Sequence, residues 1–217
     1  MLLRYSGGDG DVYTPDQFLD SASRHGMLEQ IDGWVIRTTI EWLGRNPTQK
    51  ASLNITPNSM INGFALAQTR EALADYHVDT SRLVLEVTEH AAIEDPHAFR
   101  RAVEAARAQN VRIAIDDMGS GWSSLAVIRN SPVDIVKIDG EWVREAVEDP
   151  VALCAVRSMV DCAHLLGSTV VAEWIEDEQT LALMREMGVE HGQGWLFGAA
   201  RPLDEIAGEA FVTDVAA

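Results

Sequence analysis

Short apolar runs rich in β-branched residues recur along the chain, and a longer amphipathic stretch follows each of them. This alternation is typical of repeated βα units, whose strands lie parallel in one sheet with helices packed against it. We predict six such strands: Ala51–Thr56, Leu83–Val87, Val111–Ile115, Ile135–Ile138, Thr169–Ala172 and a weaker one near Trp195–Phe197. No linker or low-complexity tract interrupts the series, so residues 1–217 are predicted to form a single α/β domain.

Proline and glycine mark several helix boundaries. Thr14-Pro15, Asp95-Pro96 and Asp149-Pro150 each place a capping side chain before a proline whose fixed φ suits the first helical turn. Gly167 and Gly188 stand where the helical patterns stop, as C-terminal caps commonly do. These signals predict helices that begin at the three prolines and end before the two glycines.

Six βα units fall short of an eight-stranded parallel barrel, which typically needs about 250 residues. Met1–Arg4 resembles the end of a strand that runs into the glycine-rich polar loop Ser6–Asp11. We therefore expect a TIM-like (β/α) barrel that lacks its first strand or strands at the N-terminus.

Composition limits the partners of the chain. There are 17 Lys and Arg against 34 Asp and Glu, which gives a net charge of −17. Such an excess disfavours a protein that binds long nucleic acid by neutralising phosphates.

No run of apolar residues is long enough to span a membrane, and no signal peptide pattern is present, so we expect a soluble, cytoplasmic chain. No histidine or cysteine spacing of a zinc site occurs.

Polar residues close or interrupt the predicted strands at their C-terminal ends. In parallel α/β folds these ends meet on one face, so we expect the side chains to share one crevice. Several carboxylates there would repel one another unless cations neutralise them, and oxygen ligands suit Mg²⁺ or Mn²⁺. The residues concerned are Asn54, Glu86, Glu89, Asp116, Asp117, Lys137, Asp139 and Glu173.

The adjacent pair Asp116-Asp117 could turn one carboxylate toward each of two neighbouring metal ions. A two-metal site is suited to phosphoester hydrolysis, with Lys137 holding the attacking water or the phosphate and Glu173 accepting a proton. Each residue also has a structural alternative, because a single acid at a strand end is often a helix N-cap and Asn54 could form an Asx turn. The coincidence at five successive strands favours a joint site.

Six segments of the chain form a recognisable set of motifs: Ser52–Thr56, Leu85–Glu89, Asp116–Leu125, Lys137–Asp139, Ala172–Glu176 and Gln193–Trp195. In this order they resemble the EAL domain family of cyclic di-GMP phosphodiesterases. Together they span most of the chain, and their joint specificity is high although any one alone is weak. The family fold is a TIM-like barrel, which agrees with the strand count.

The resemblance implies a role for each matching residue. Metal ligands would be Asn54, Glu86, Asp116 and Asp117, and the hydrolytic water would be organised by Glu173 and Lys137. Substrate would be bound by Leu2, Arg4 and Gln193. Glu89, Glu176 and Asp139 would give support, with Glu89 steadying the loop Met118–Ser124 that leads to a dimer interface.

The chain departs from the family pattern at the motif that names it. Leu2, Leu3 and Arg4 match the continuation of the Glu-Ala-Leu motif with Met1 in the alanine position, so the motif glutamate would precede Met1. The literal Glu71-Ala72-Leu73 lies in the predicted helix Ala65–Tyr76, and we expect its glutamate to face solvent. Trp174 stands where the family usually has glycine, and its indole could narrow the pocket or stack on guanine.

Two functions follow from the resemblance, and a third reading comes from another class. The first is hydrolysis of cyclic di-GMP to linear pGpG at a site holding two Mg²⁺ or Mn²⁺ ions. The alternative is an inactive cyclic di-GMP receptor that acts through a dimer interface, since a family metal ligand is absent from residues 1–217. A protein-interaction domain that kept only the fold is the third. A homodimer and an upstream GGDEF or sensor domain are further expectations.

Overall fold

The computed structural model describes residues 3–6, 8, 11–119, 124–130, 133–207 and 215. Six of its strands form one parallel sheet in which every strand pairs with its neighbours in chain order. The sheet is curled into a half-barrel, which confirms the predicted α/β, TIM-like class. These strands are β3 (Ala51–Asn54), β4 (Leu83–Thr88), β5 (Arg112–Met118), β6 (Ile135–Ile138), β7 (Thr169–Ala172) and β8 (His191–Gly192).

Helices connect and cover the strands. Ten α-helices occur in the described ranges, and two short 3₁₀ turns lie at Thr80–Arg82 and Leu203–Glu205. No helix in these ranges combines the length and the apolar character that crossing a membrane requires. The helices are α1 (Pro15–Arg24), α2 (Leu28–Arg45), α3 (Pro57–Ile61), α4 (Phe64–Tyr76), α5 (Glu89–Glu94), α6 (Pro96–Ala108), α7 (Ser124–Asn130), α8 (Gly140–Glu145), α9 (Pro150–Leu165) and α10 (Glu178–Met187).

The predicted helix boundaries are confirmed. Helices α1, α6 and α9 begin at the three prolines. The carboxylate of Asp95 accepts from Ala98 N at 2.9 Å, and that of Asp149 accepts from Val151 N at 2.8 Å. Helix α10 ends at Gly188, which adopts the left-handed conformation with φ 86°. These caps satisfy backbone groups that a helix leaves free at its ends.

The N-terminal segment differs from the expectation. Leu3 and Arg4 lie outside any strand, whereas β1 (Tyr5–Ser6) pairs antiparallel with β2 (Val12–Tyr13) as a small hairpin. Met1 and Leu2 lie outside the described residues. Among the described residues of 3–13, the two short strands belong to this hairpin and not to the main sheet.

The last strand was predicted in the wrong place. Strand β8 is His191–Gly192, which pairs with Val171 and Ala172 of β7, whereas Trp195 is 70 % exposed. The chain leaves the sheet at Gln193, whose N–H makes the last bond to Ala172 O, and turns at Gly194. The apolar residues of 195–197 resembled a strand, but the pairing of β7 ends before them.

The core lies between the strands and the helices. Strand β4 is buried along its first five residues, as expected for a parallel strand covered on both faces. A single cluster of buried apolar residues extends from Ile36 on α2 to Met184 on α10. This rigid frame fixes the strand ends that carry the polar side chains.

We predict that Gly194→Ala destabilises the fold more than Gly167→Ala. A Cβ on Gly194, where φ is 155°, would lie 2.3 Å from Ile175 O, whereas a Cβ on Gly167 meets nothing within 4 Å. Gly167→Ala therefore lowers the free energy of unfolding only through the strain of a positive φ, about 1 kcal/mol. Gly194→Ala adds a backbone clash of about 2 kcal/mol more. Denaturant unfolding measures both, and equal losses would contradict the contact.

Candidate active site

The C-terminal ends of β4 to β7 bring four charged side chains into one buried cluster. Glu86, Asp116, Lys137 and Glu173 are each no more than 8 % exposed. The strand register aligns their positions, since Asn54 pairs with Glu86 and Thr88 pairs with Asp116. The crevice expected from the polar strand ends therefore forms from distant parts of the chain.

Lys137 lies at the centre of the cluster. Its Nζ is 2.5 Å from Asp116 Oδ1, 2.6 Å from Glu173 Oε1 and 3.2 Å from Glu86 Oε2. Burial alone lowers the pKa of Lys137, but the negative charges of these three carboxylates outweigh burial and raise it. The ammonium group is therefore charged and holds the three acids together.

An irregularity in β5 turns two successive aspartates toward the site. The pairing of β5 with β6 shifts register between Ile115 and Met118, and Asp117 has a positive φ of 56°. In a regular strand the side chains of Asp116 and Asp117 would point to opposite faces. A bulge removes this alternation, and aspartate tolerates the left-handed conformation better than most residues.

Glu173 follows β7 and is held on one oxygen. Its Oε1 accepts from Lys137 and also from Gln193 Nε2, which is 2.6 Å away. Burial raises the pKa of Glu173 to about 7, although Lys137 opposes this rise. A carboxylate with a pKa near neutrality is suited to accept a proton at physiological pH.

Asn54 completes the oxygen-rich edge of the cluster. Its side-chain amide lies 3.1 Å from Asp116 Oδ2 and 3.2 Å from Glu86 Oε2, and with the nitrogen facing them it donates to both. Turning the amide by half a rotation would present its oxygen to the same place. Ser52 Oγ donates to the other oxygen of Glu86 and fixes that carboxylate.

The arrangement fits a hard divalent cation. Oxygen atoms of Asp116, Asp117 and Glu173 lie within 4.8 Å of one another. The carboxylate of Asp117 makes no hydrogen bond to a described side chain, and burial followed by the charges of Asp116 and Asp139 raises its pKa. Within the described ranges Lys137 is the one cation bonded to this group of acids, so a divalent ion would relieve the remaining repulsion.

Glu89 and Asp139 support the chain around the aspartates. Glu89 is 1 % exposed, and its Oε2 accepts from Gly119 N at 3.1 Å. Trp142 Nε1 donates to Gly119 O at 2.8 Å, so both the N–H and the carbonyl of Gly119 are held. Asp139 accepts from Glu141 N and caps α8. The rest of the loop expected to respond to Glu89, residues 120–123, lies outside the described residues.

Three other sequence-predicted residues are not joined to the cluster by a described contact. Glu176 is exposed and makes no hydrogen bond to a described side chain. Arg4 is exposed, and its Nη1 donates to the carbonyl of the adjacent Leu3. Leu2 lies outside the described residues. Glu71, expected to face solvent, lies exposed on α4 and pairs with Arg37.

Sequence reasoning missed Asp32 and Ser52. Asp32 on α2 is 4 % exposed, and it accepts from Thr56 N at 3.2 Å and Thr56 Oγ1 at 2.6 Å. It thereby holds the turn that follows Asn54. A signal was available, because an aspartate between Ile31 and Val35 on the apolar side of a helical pattern needs a buried partner.

The amino-acid sequence matches one family model and is similar to that of several curated proteins. The family model described as EAL domain matches residues 1–202. The cyclic di-GMP phosphodiesterase PdeF of Escherichia coli (strain K12) is 30 % identical over 213 residues, which cover 96 % of this chain and 28 % of that protein. The cyclic di-GMP phosphodiesterase PA2567 of Pseudomonas aeruginosa is 29 % identical over 93 % of this chain and 35 % of its own length.

Solved structures agree with the sequence comparison. The PaMucR phosphodiesterase in complex with cyclic di-GMP superposes with a TM-score of 0.86 and is 28 % identical, with 94 % of this chain and 85 % of that chain covered. The EAL domain of Xanthomonas citri FimX, in complex with the same nucleotide, has a TM-score of 0.88 at 23 % identity, covering 97 % and 83 %, and shows the fold. The chain spans about a third or less of the two curated relatives it matches.

We predict that Mn²⁺ or Mg²⁺ stabilises the protein and that Asp117→Asn removes this gain. At a free ion concentration 100 times the dissociation constant, the gain is about 2.7 kcal/mol. Without metal, the same variant is at least as stable as wild type because it removes a repelled carboxylate. Thermal unfolding with and without ion measures both effects.

The matched control for this experiment is Asp177→Asn. Asp177 is an exposed acid that accepts from Thr180 N and caps α10 outside the cluster. This change lowers the melting temperature with and without ion but leaves the gain from metal intact. A gain that survives in Asp117→Asn would contradict a role for Asp117 in holding the ion.

We predict that the metal-free protein loses stability between pH 4.5 and pH 7 because Glu173 ionises. The ordinary pKa of a glutamate is 4.5 and that of Glu173 is raised to about 7. The folded state therefore binds more protons in this window, so its stabilisation is complete below pH 4.5 and lost as pH rises through 7. At about 1.4 kcal/mol per pH unit, the loss relative to Glu173→Gln is roughly 3 kcal/mol.

The control for this pH dependence is Glu176→Gln, which changes an exposed glutamate three residues further on. Denaturant unfolding in EDTA should give this variant the slope of wild type and give Glu173→Gln a smaller one. Equal slopes in all three proteins would show that Glu173 keeps an ordinary pKa.

Proposed function

The chain belongs to the EAL domain family, and we propose that it hydrolyses one phosphodiester of cyclic di-GMP to give linear pGpG. The observation that carries this proposal is the buried cluster at the strand ends, where Lys137 binds three carboxylates. The names of the matched phosphodiesterases support the choice of nucleotide.

The ions would be held by the carboxylates of Glu86, Asp116 and Asp117 and by Asn54, with its amide turned to present the oxygen. Mg²⁺ or Mn²⁺ supplies positive charge that polarises the phosphate and lowers the pKa of water. The bulge at Asp116-Asp117 gives two adjacent carboxylates access to the same space. With two ions bound, each of these carboxylates would face one of them.

Glu173 would act as the general base. Lys137 and Gln193 both bond to its Oε1, and its side chain also contacts that of Asp116. Its Oε2 would accept a proton from the attacking water. The water oxygen bonds to phosphorus, the bond from phosphorus to the ribose 3′ oxygen breaks, and that oxygen takes up a proton. The phosphate then remains on the 5′ side, as in pGpG.

A receptor that holds cyclic di-GMP without cleaving it is the second candidate. The observation that favours it is that Lys137 already neutralises part of the charge on three carboxylates, which lowers the demand for metal. A homodimer, an upstream GGDEF or sensor domain and a cytoplasmic location remain part of this proposal for either function.

We predict that pGpG forms from cyclic di-GMP with Mn²⁺ when the chain carries the upstream residues in which the family resemblance places the motif glutamate. The experiment compares that longer chain with residues 1–217 by chromatography of the products. Because the glutamate would add a carboxylate to the metal site, the longer chain should cleave faster. Calorimetry with the same nucleotide measures binding separately.

Glu173→Gln in the longer chain is the control. It should lower the rate by a factor of about 10² or more, as expected for a general base, and leave binding within a few-fold of wild type. Binding without cleavage in both chain lengths would favour the receptor. Absence of binding in both would overturn both functions.

A further inference from the structure

Trp174 has a backbone conformation that a tryptophan rarely adopts. Its φ is 53°, in the left-handed region that glycine favours and bulky residues avoid. Such a conformation costs of order 1–3 kcal/mol and persists where the surrounding structure enforces it, commonly at functional sites. The residue before it is Glu173, and the residue after it, Ile175, is fully buried, so the chain on both sides is fixed.

The indole stands over the end of the neighbouring strand. Gly140 follows β6 at the start of α8, and a Cβ there would lie 2.1 Å from Trp174 Cγ. The absence of a side chain at Gly140 therefore makes the room in which the indole lies. The ring therefore lies against the start of α8, next to Asp139, whose charge acts on Asp117, and it is not in the core.

The ring remains accessible although it is fixed. Trp174 is 46 % exposed, and the guanidinium carbon of Arg144 lies 5.6 Å from the ring centroid. A stacked arginine holds an indole through the attraction of the cation to the ring. The strained backbone of Trp174 destabilises the fold. Binding of a ligand to the exposed face of the indole would offset that cost.

We propose that the indole of Trp174 is a stacking platform for one guanine base of cyclic di-GMP. This inference rests on the proposed function, because a phosphodiester at the carboxylate cluster brings the attached base beside the residue that follows Glu173. Stacking on an aromatic side chain needs only the flat face of the base. Arg144, which holds the ring, also carries N–H donors of the kind that bind the O6 and N7 acceptors of guanine.

Calorimetry tests the proposal with cyclic di-GMP and Mn²⁺ in a Glu173→Gln parent, which prevents cleavage. Adding Trp174→Gly should weaken binding about tenfold, and adding Trp174→Phe should weaken it less, because a phenyl ring still stacks. The glycine variant should be at least as thermostable as the parent, because glycine accepts a positive φ without strain. A merely structural role for the indole predicts loss of stability instead.

Trp34→Ala is the matched control. Trp34 is another exposed indole, 58 % accessible on α2, and its removal should leave the dissociation constant unchanged. If the parent binds and Trp174→Gly binds equally well, this inference fails while the proposed function stands. If the parent does not bind cyclic di-GMP, the proposed function fails and the inference fails with it.

Discussion

The ion pairs of Lys137 are the interaction on which the candidate site depends. Carboxylates buried at neighbouring strand ends repel one another, and each unpaired charge in such a place costs several kcal/mol. The ammonium group contacts three of them within 3.2 Å and lets the strands pack with their acids inward. Asp117 is left without such a bond, and its raised pKa marks the place where a divalent cation would contribute most.

The irregular backbone around this cluster is as important as its charges. A strand alternates its side chains, so two adjacent aspartates reach one crevice only because β5 is bulged and Asp117 has a positive φ. Glu89 accepts from the N–H of Gly119, and Trp142 donates to its carbonyl oxygen. The contacts that retain this conformation lie outside the cluster, which explains why a buried acid such as Glu89 is needed one strand away.

Much of the fold was predictable because buried parallel strands appear in the sequence as short apolar runs. Five apolar runs in chain order became five neighbouring strands, and the polar residue closing each run had to lie on the common face. Strand β8 was misplaced because His191–Gly192 is too short to show a pattern, while the exposed residues near Trp195 imitate one. The bulge in β5 and the support from Asp32 depend on contacts between distant segments, which hydrophobic periodicity does not record.

Asp117 and Trp174 both have a positive φ near the cluster, but only the conformation of Asp117 agrees with its residue type. Aspartate adopts a positive φ at little cost, and this conformation brings a second carboxylate, that of Asp117, to the site. Trp174 is a residue type that rarely adopts a positive φ, and its indole contacts Arg144 in the space that Gly140 leaves. Because these contacts leave the ring 46 % exposed, a further interaction that offsets the strain is best sought in a ligand that stacks on the exposed ring.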